Sequence, residues 1–553
     1  MEPSPDESSR FDILAADIAD LKRRVATLEG SGPAFLPIEP AIPQMPSVSG
    51  GAVTSLGLAL LGMAGAYLLR ALVESGSLPR AVGVAAGLLY AGCWLVTSSR
   101  VSSENRFTIA VYGLTSALIL SPLLWETTVR FQALPSHLAA AALVLFVLIG
   151  LALAWRRNLS VIVWITTLAG LGTAFALIVA TRALLPFTAA LLAIAAAIEY
   201  TACRDHWLNV RWIVALGADC AVLLTTHIVT RPQGLPEGYA IIPVWVVVAL
   251  QAALLATYLG SMLVRTLVRN LTVSWFEAIQ AAAAFTVAIG GMLQVGHSGP
   301  AIGVSCLLAG VAAYIAAFGI EERRSTPRNF QTYATYGLLL LATGSVILFS
   351  HLRLTIMWSA LAAAAVWTGL RTARNTAVIH GAAYLVAAVF VSGALGYTFD
   401  RMYGPSGAAL VAAIAAALCY AATFLESHPR NDWTWKLPVT LFAAIIVAIA
   451  FGFAAAFLSA ALSLDPSARS ALRTALVSVA GIALAVVGLR FGRSELIWIL
   501  YPTMILGALK LVAEDFRQGR PLSLFLSLLF YGGTLTLLSK LFRRSTRSEG
   551  SKI

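Results

Sequence analysis

From Gly51 to Phe542 the chain is a succession of eighteen uninterrupted apolar runs joined by short loops. They begin near Gly51, Arg80, Phe107, His137, Leu159, Ala183, Val210, Gly238, Thr272, Pro300, Gln331, Arg353, Thr376, Pro405, Leu437, Ser470, Glu495 and Pro521. A helix rising about 1.5 Å per residue needs about 20 such residues to cross a hydrocarbon core about 30 Å thick. Stretches such as AALVLFVLIGLALAW are continuous, whereas a membrane β-strand alternates apolar and polar positions. Helices then satisfy every backbone group in lipid. The expectation is an all-α, polytopic transmembrane bundle of about eighteen helices over residues 51–542, with the lipid bilayer as its first partner.

Composition agrees, with 59% hydrophobic and only 12% charged residues against a soluble norm of about 25% charged. The net charge is +12, but its Arg and Lys residues sit singly or in pairs between apolar runs instead of clustering, which argues against nucleic acid as a partner. The five cysteines show no CxxC spacing and all fall in or beside apolar runs, so neither disulfides nor a zinc site is indicated. No phosphate loop and no paired-histidine motif occurs, and no metal or cofactor is expected. The chain opens on the polar sequence MEPSPDESSR, so the first apolar run is expected to be an uncleaved anchor.

Residues 1–30 carry Phe11, Leu14, Ile18, Leu21, Val25 and Leu28 at alternating spacings of three and four, an amphipathic or coiled-coil seam. Over residues 11–29 it could bring a second copy or another protein, or dock on its own protein or on lipid. A Pro-rich linker, residues 31–50, follows with Pro37, Pro40, Pro43 and Pro46 every third residue, the repeat of polyproline II and of a stiff spacer. A basic tail, 543–553, closes the chain.

Charge orients the bundle, because Lys and Arg gather in cytoplasmic loops. The even loops hold Arg100/Arg106, Arg156/Arg157, Arg204/Arg211, Arg265/Arg269, Arg323/Arg324/Arg328, Arg371/Arg374, Arg430/Lys436 and Arg490/Arg493, and outweigh the odd loops by 17 to 12. Both termini are therefore expected in the cytoplasm. The short loops leave no room for a soluble catalytic domain.

An ionisable group at mid-bilayer costs roughly 2.5–3.5 kcal/mol on insertion scales. Asp219 lies nine residues into its run, with Thr226 seven positions on and on the same face. Glu199 and Glu277 lie near the cytoplasmic ends of neighbouring runs, and Gln251 and Gln280 at middle depths. This set reads either as a proton- or cation-linked polar path, with Glu199 and Glu277 feeding Asp219, or as hydrogen bonding between helices. Asp205 and His206 beside Arg204 read as a solvated loop. Arg70 with Glu74 and Lys510 with Glu514 are i,i+4 ion pairs at helix ends, with Asp515 in the same ion-pair set and Lys510 expected to snorkel outward.

Two stretches, LGLALLGMAGAYLLRALVESGSLPRAVGVAAGLL and LIWILYPTMILGALKLVAEDFRQGRPLSLFLSLLFYGGTLTLLSKLFRR, resemble the bacterial membrane-protein family called domain of unknown function 2339. The resembling positions are Arg70 and Glu74 in the first stretch, then Lys510, Asp515, Arg520, Gly532 and Ser539 in the second. The resemblance implies a bacterial inner-membrane protein and carries no reaction with it. Two functions stay open: a transporter or channel whose substrate is unidentified, and a membrane scaffold or assembly factor organised through the N-terminal helix.

Overall fold

The computed structural model describes residues 18–25, 50–296, 299–324, 326–397, 406–425, 433–518 and 521–550. Among them there is no strand. In chain order the helices are α1 (18–25), α2 (Gly50–Glu74), α3 (Arg80–Arg100), α4 (Arg106–Trp125), α5 (Ser136–Arg157), α6 (Ser160–Thr181), α7 (Leu184–Cys203), α8 (Arg211–Val229), α9 (Val244–Leu263) and α10 (Trp275–Val295). They continue with α11 (Gly299–Ile315), α12 (Pro327–Leu348), α13 (His351–Arg371), α14 (Asn375–Val391), α15 (Gly407–Ala422), α16 (Trp433–Ala461), α17 (Pro466–Phe491), α18 (Ser494–Lys510), α19 (Phe516–Gln518) and α20 (Pro521–Gly550).

Among the described residues every apolar run contains a helix, and fifteen helices are long and apolar enough to cross a membrane, which is compatible with a multipass membrane protein. Three of the helices formed by apolar runs fall outside that set, besides the short α1 and α19. α14 and α15 are short, with 17 and 16 residues, and α12 opens on the polar Arg328, Asn329, Gln331 and Thr332. Large apolar side chains cover the outside as well as the core: Leu60 is 67% exposed, Leu89 71% and Val179 75%. Apolar patches on that scale need a lipid or protein environment.

The chain divides into two compact units, Met1–Leu120 and Ser121–Ile553. In the first, α2, α3 and the start of α4 are tied by buried hydroxyls: Ser55 Oγ to Thr108 Oγ1 at 2.9 Å, Ser98 Oγ donating to Ile109 O at 2.8 Å and Ser116 Oγ to Ala91 O at 2.6 Å. Small hydroxyls let helices approach closely where lipid offers no hydrophobic drive. Of the N-terminal seam, Ile18, Leu21 and Val25 lie on α1 and are exposed, while Phe11, Leu14, Leu28 and the linker prolines lie outside the described residues.

In the second unit, neighbouring helices pair in sequence, α5 with α6, α7 with α8, α9 with α10, α11 with α12, and α13 with α14. One apolar core runs from Leu341 of α12 through Trp358 and Leu385 to Phe442 and Ile449 of α16. The helix ends follow local chemistry. Asp465 caps α17 by accepting from Ala468 N at 3.0 Å, ahead of Pro466, and α17 ends on Gly492 at φ 63. Four spans end in a π-helical turn, at Glu126–Arg130, Val264–Val268, Ala316–Glu321 and Leu511–Asp515.

Candidate functional site

α7 to α10 bring the singled-out polar residues into two groups. The first is an ion-pair network at the ends of the helices. Arg211, the first residue of α8, grips Glu199 of α7 with two parallel bonds, Nε to Oε1 at 2.9 Å and Nη2 to Oε2 at 2.6 Å. Its Nη1 donates to Glu277 Oε1 at 3.3 Å, and its guanidinium lies 4.2 Å from the centre of the Phe276 ring. Glu277 also caps its own helix: Oε2 accepts from Ser274 N at 2.7 Å, while Ser274 Oγ accepts from Glu277 N at 3.3 Å. This is the capping box of an S-x-x-E sequence.

The π-turn after α9 presents Arg265 to the same carboxylate, with Nε donating to Glu277 Oε1 at 2.5 Å. Arg265 Nη1 reaches Asp205 Oδ1 at 2.8 Å, and Arg269 Nη1 reaches Asp205 Oδ2 at 3.0 Å. Ser261 Oγ donates to Glu199 Oε2 at 2.5 Å. The network thus joins three carboxylates to three guanidiniums and balances its own charge. Burial works against ionisation of the Asp205 carboxyl, yet the Arg265 and Arg269 guanidiniums hold it below the usual carboxylate range.

Three sequence expectations are corrected here. Arg211 and Arg265, counted among the cytoplasmic loop charges, are only 3% and 6% exposed, because each meets a carboxylate of a neighbouring helix. The loop at Asp205 and His206 is not merely solvated: Asp205 pairs with two arginines and His206 stacks on Trp155 at 4.4 Å. Lys510 does not snorkel outward. Its Nζ donates to Ser470 O at 2.6 Å, Thr474 Oγ1 at 2.9 Å and Asp515 Oδ1 at 2.7 Å, and Glu514 lies further off at 3.9 Å. The π-turn at Leu511–Asp515 sets Asp515, the fifth residue on from Lys510, beneath the ammonium. Arg70 and Glu74 form their i,i+4 pair at 3.1 Å, exposed to the surroundings.

The second group lies further along the helices α8 to α10. Asp219 Oδ2 accepts from Gln280 Nε2 at 2.9 Å, and Gln251 Nε2 donates to Thr226 Oγ1 at 2.8 Å. All four side chains are buried. Asp219 Oδ1 has no hydrogen-bond partner and is the one buried carboxylate oxygen among the described residues in that condition. Gln251 Oε1 and the Tyr258 hydroxyl are likewise unpartnered and buried. Along α9, Tyr258 falls between Gln251 of this group and Ser261 of the ion-pair network. Gly291 of α10 closes against the Gln251 amide: a Cβ there would lie 2.3 Å from Nε2 and 3.3 Å from Thr226 Oγ1.

Reading the sequence missed Tyr258 and Ser261 and took Arg265 for a loop charge, although Gln251, Tyr258 and Ser261 step by seven and three along α9 and Arg265 follows four on in the π-turn. The S-x-x-E signal of the Ser274–Glu277 capping box is also present in the sequence, just ahead of the apolar run of α10. Among the described residues no three His, Cys, Asp or Glu side chains gather as a metal would require. No protein-family model, no curated protein and no solved structure matches the chain.

Proposed function

We propose that the chain is a transporter or channel that moves a proton or a small monovalent cation along the polar face shared by α7 to α10, with Asp219 as the group that binds it. The observation that carries this reading is the Asp219 carboxylate: buried, bonded only to an amide, and with Oδ1 free. A carboxylate without a cation is costly in a medium of low dielectric, and a proton or a bound cation removes that cost. Gln251 Oε1 and the Tyr258 hydroxyl offer further unsatisfied oxygens in the same helices. The balanced ion-pair network of Glu199, Arg211, Glu277 and Arg265 acts as a closed clamp on the Arg-rich side, so Glu199 and Glu277 gate access to Asp219 instead of carrying ions themselves.

Purified protein in liposomes, under an imposed pH gradient or potential, tests the reading. Wild-type protein dissipates the gradient, and Asp219→Asn does so no faster than protein-free liposomes. Equal flux from the two proteins rejects Asp219 as the carrier.

A second reading, a scaffold or assembly factor, draws on the exposed apolar side chains of α1, where Ile18, Leu21 and Val25 face outward at seam spacing. Deleting residues 1–50 then lowers the molecular mass of the detergent-solubilised particle, while flux is retained. Residence in a bacterial inner membrane, with both termini cytoplasmic, belongs to the same proposal and is supported by the resemblance of the two end stretches and by the loop charges.

A further inference from the structure

Away from the polar path, the ends of α16, α17 and α18 border an open cavity of about 800 Å³. Its wall carries two basic residues, Lys436 and Arg493, among three tryptophans, Trp433, Trp435 and Trp498. Arg493 is partly neutralised, with Nη1 3.4 Å from Glu495 Oε1, and its guanidinium lies over the Phe424 ring at 3.9 Å. Glu495 is taken up by this pair and by the Tyr420 hydroxyl, which donates to it at 3.3 Å. Lys436 is exposed and forms no ion pair among the described residues, so it brings the cavity a positive charge that no described carboxylate neutralises. The first turns of α16 and α18 also open onto it, and no side chain caps α18, which leaves backbone N–H groups free for an anion.

We infer that this cavity binds the headgroup of an anionic phospholipid. Charge and position argue for that occupant together. Tryptophan favours the boundary between hydrocarbon and water, and basic pockets between spans at that level suit lipid phosphates. The phosphate sits between Lys436 and Arg493, and the acyl chains run over the exposed Leu437 and Trp498, as a free phosphate would have no need to do. Lys436 and Arg493 both belong to the Arg-rich loop set, the side on which anionic lipids attract basic groups.

Native mass spectrometry of the full-length protein, titrated with phosphatidylglycerol or phosphatidylcholine, tests the inference. Phosphatidylglycerol should be retained at least about five-fold better, Lys436→Gln should remove about five-fold of that preference, and Lys436→Arg should keep it. Equal retention of the two lipids, or a preference indifferent to Lys436→Gln, overturns the site. Displacement of phosphatidylglycerol by millimolar inorganic phosphate overturns the lipid as occupant in favour of the free anion.

Discussion

Arg211 serves two carboxylates on two other helices, so its removal leaves Glu199 without a cation and weakens the hold on Glu277. Breaking a buried pair from one side costs about 3–5 kcal/mol. Arg211→Ala should therefore lower the thermal unfolding temperature sharply, and Arg211→Met with Glu199→Gln should recover part of the loss. Tyr258→Phe is the opposite case. Its hydroxyl has no partner, so removing it should leave stability unchanged or slightly raised while slowing flux. Asp205 adds a pH-dependent contribution. Because Arg265 and Arg269 depress its pKa in the folded state, that contribution is present above the unfolded carboxylate value near 4 and is lost as the pH falls through the lower folded value. Half-exposed and screened, it is worth less than about 1 kcal/mol, and Asp205→Asn should flatten the acid limb of a stability-against-pH curve by that amount. Asp219 stands out in the sequence because an acid nine residues into an apolar run has no local excuse. Arg211 and Arg265 do not, because their partners lie on other helices and only the packing brings them together.

At the scale of elements, α11 and α12 approach so closely that glycine is required at the crossing. A Cβ on Gly344 would lie 2.7 Å from Gly303 O and 2.9 Å from Leu307 N, backbone atoms that cannot swing aside. Gly344→Ala should destabilise by at least about 1–3 kcal/mol through overpacking. Gly172 on α6 has nothing within 4 Å of such a Cβ, so Gly172→Ala should be neutral or stabilising, and thermal unfolding of the two variants separates crossing from helix propensity. The positions of the helices were legible because apolar runs of that length admit one backbone solution in lipid. The π-turns were not, since one extra residue in a turn leaves the hydrophobic pattern almost intact. Yet they decide which way Arg265 and Asp515 face. The sequence names both Glu514 and Asp515 as ion-pair residues beside Lys510, and the π-turn makes Asp515 the close one at 2.7 Å, with Glu514 at 3.9 Å.

For the whole molecule, the proposed topology rests on every apolar run crossing the membrane, so that short loops alternate between its two sides. Withdrawing Arg211 and Arg265 from the loop charges leaves the excess on the same side, because Arg156/Arg157, Arg323/Arg324 and Arg371/Arg374 remain there. In a background with the five cysteines replaced, Asn158→Cys and Gln132→Cys at opposite ends of α5 should react with a membrane-impermeant maleimide from opposite sides, with Asn158 on the cytoplasmic side. Labelling of both from one side would break the alternation.

The claim on which the functional account rests is that Asp219 is left without a cation so that it can take up a mobile one. An experimental structure of the protein in lipid, at a resolution that shows ordered water and ions, examines this at Asp219 Oδ1. Water or a cation bound there, continuing toward the Tyr258 hydroxyl or Gln251 Oε1, is the predicted result. A dry Oδ1 sealed by apolar side chains would contradict the account and leave Asp219 a structural partner of Gln280 alone.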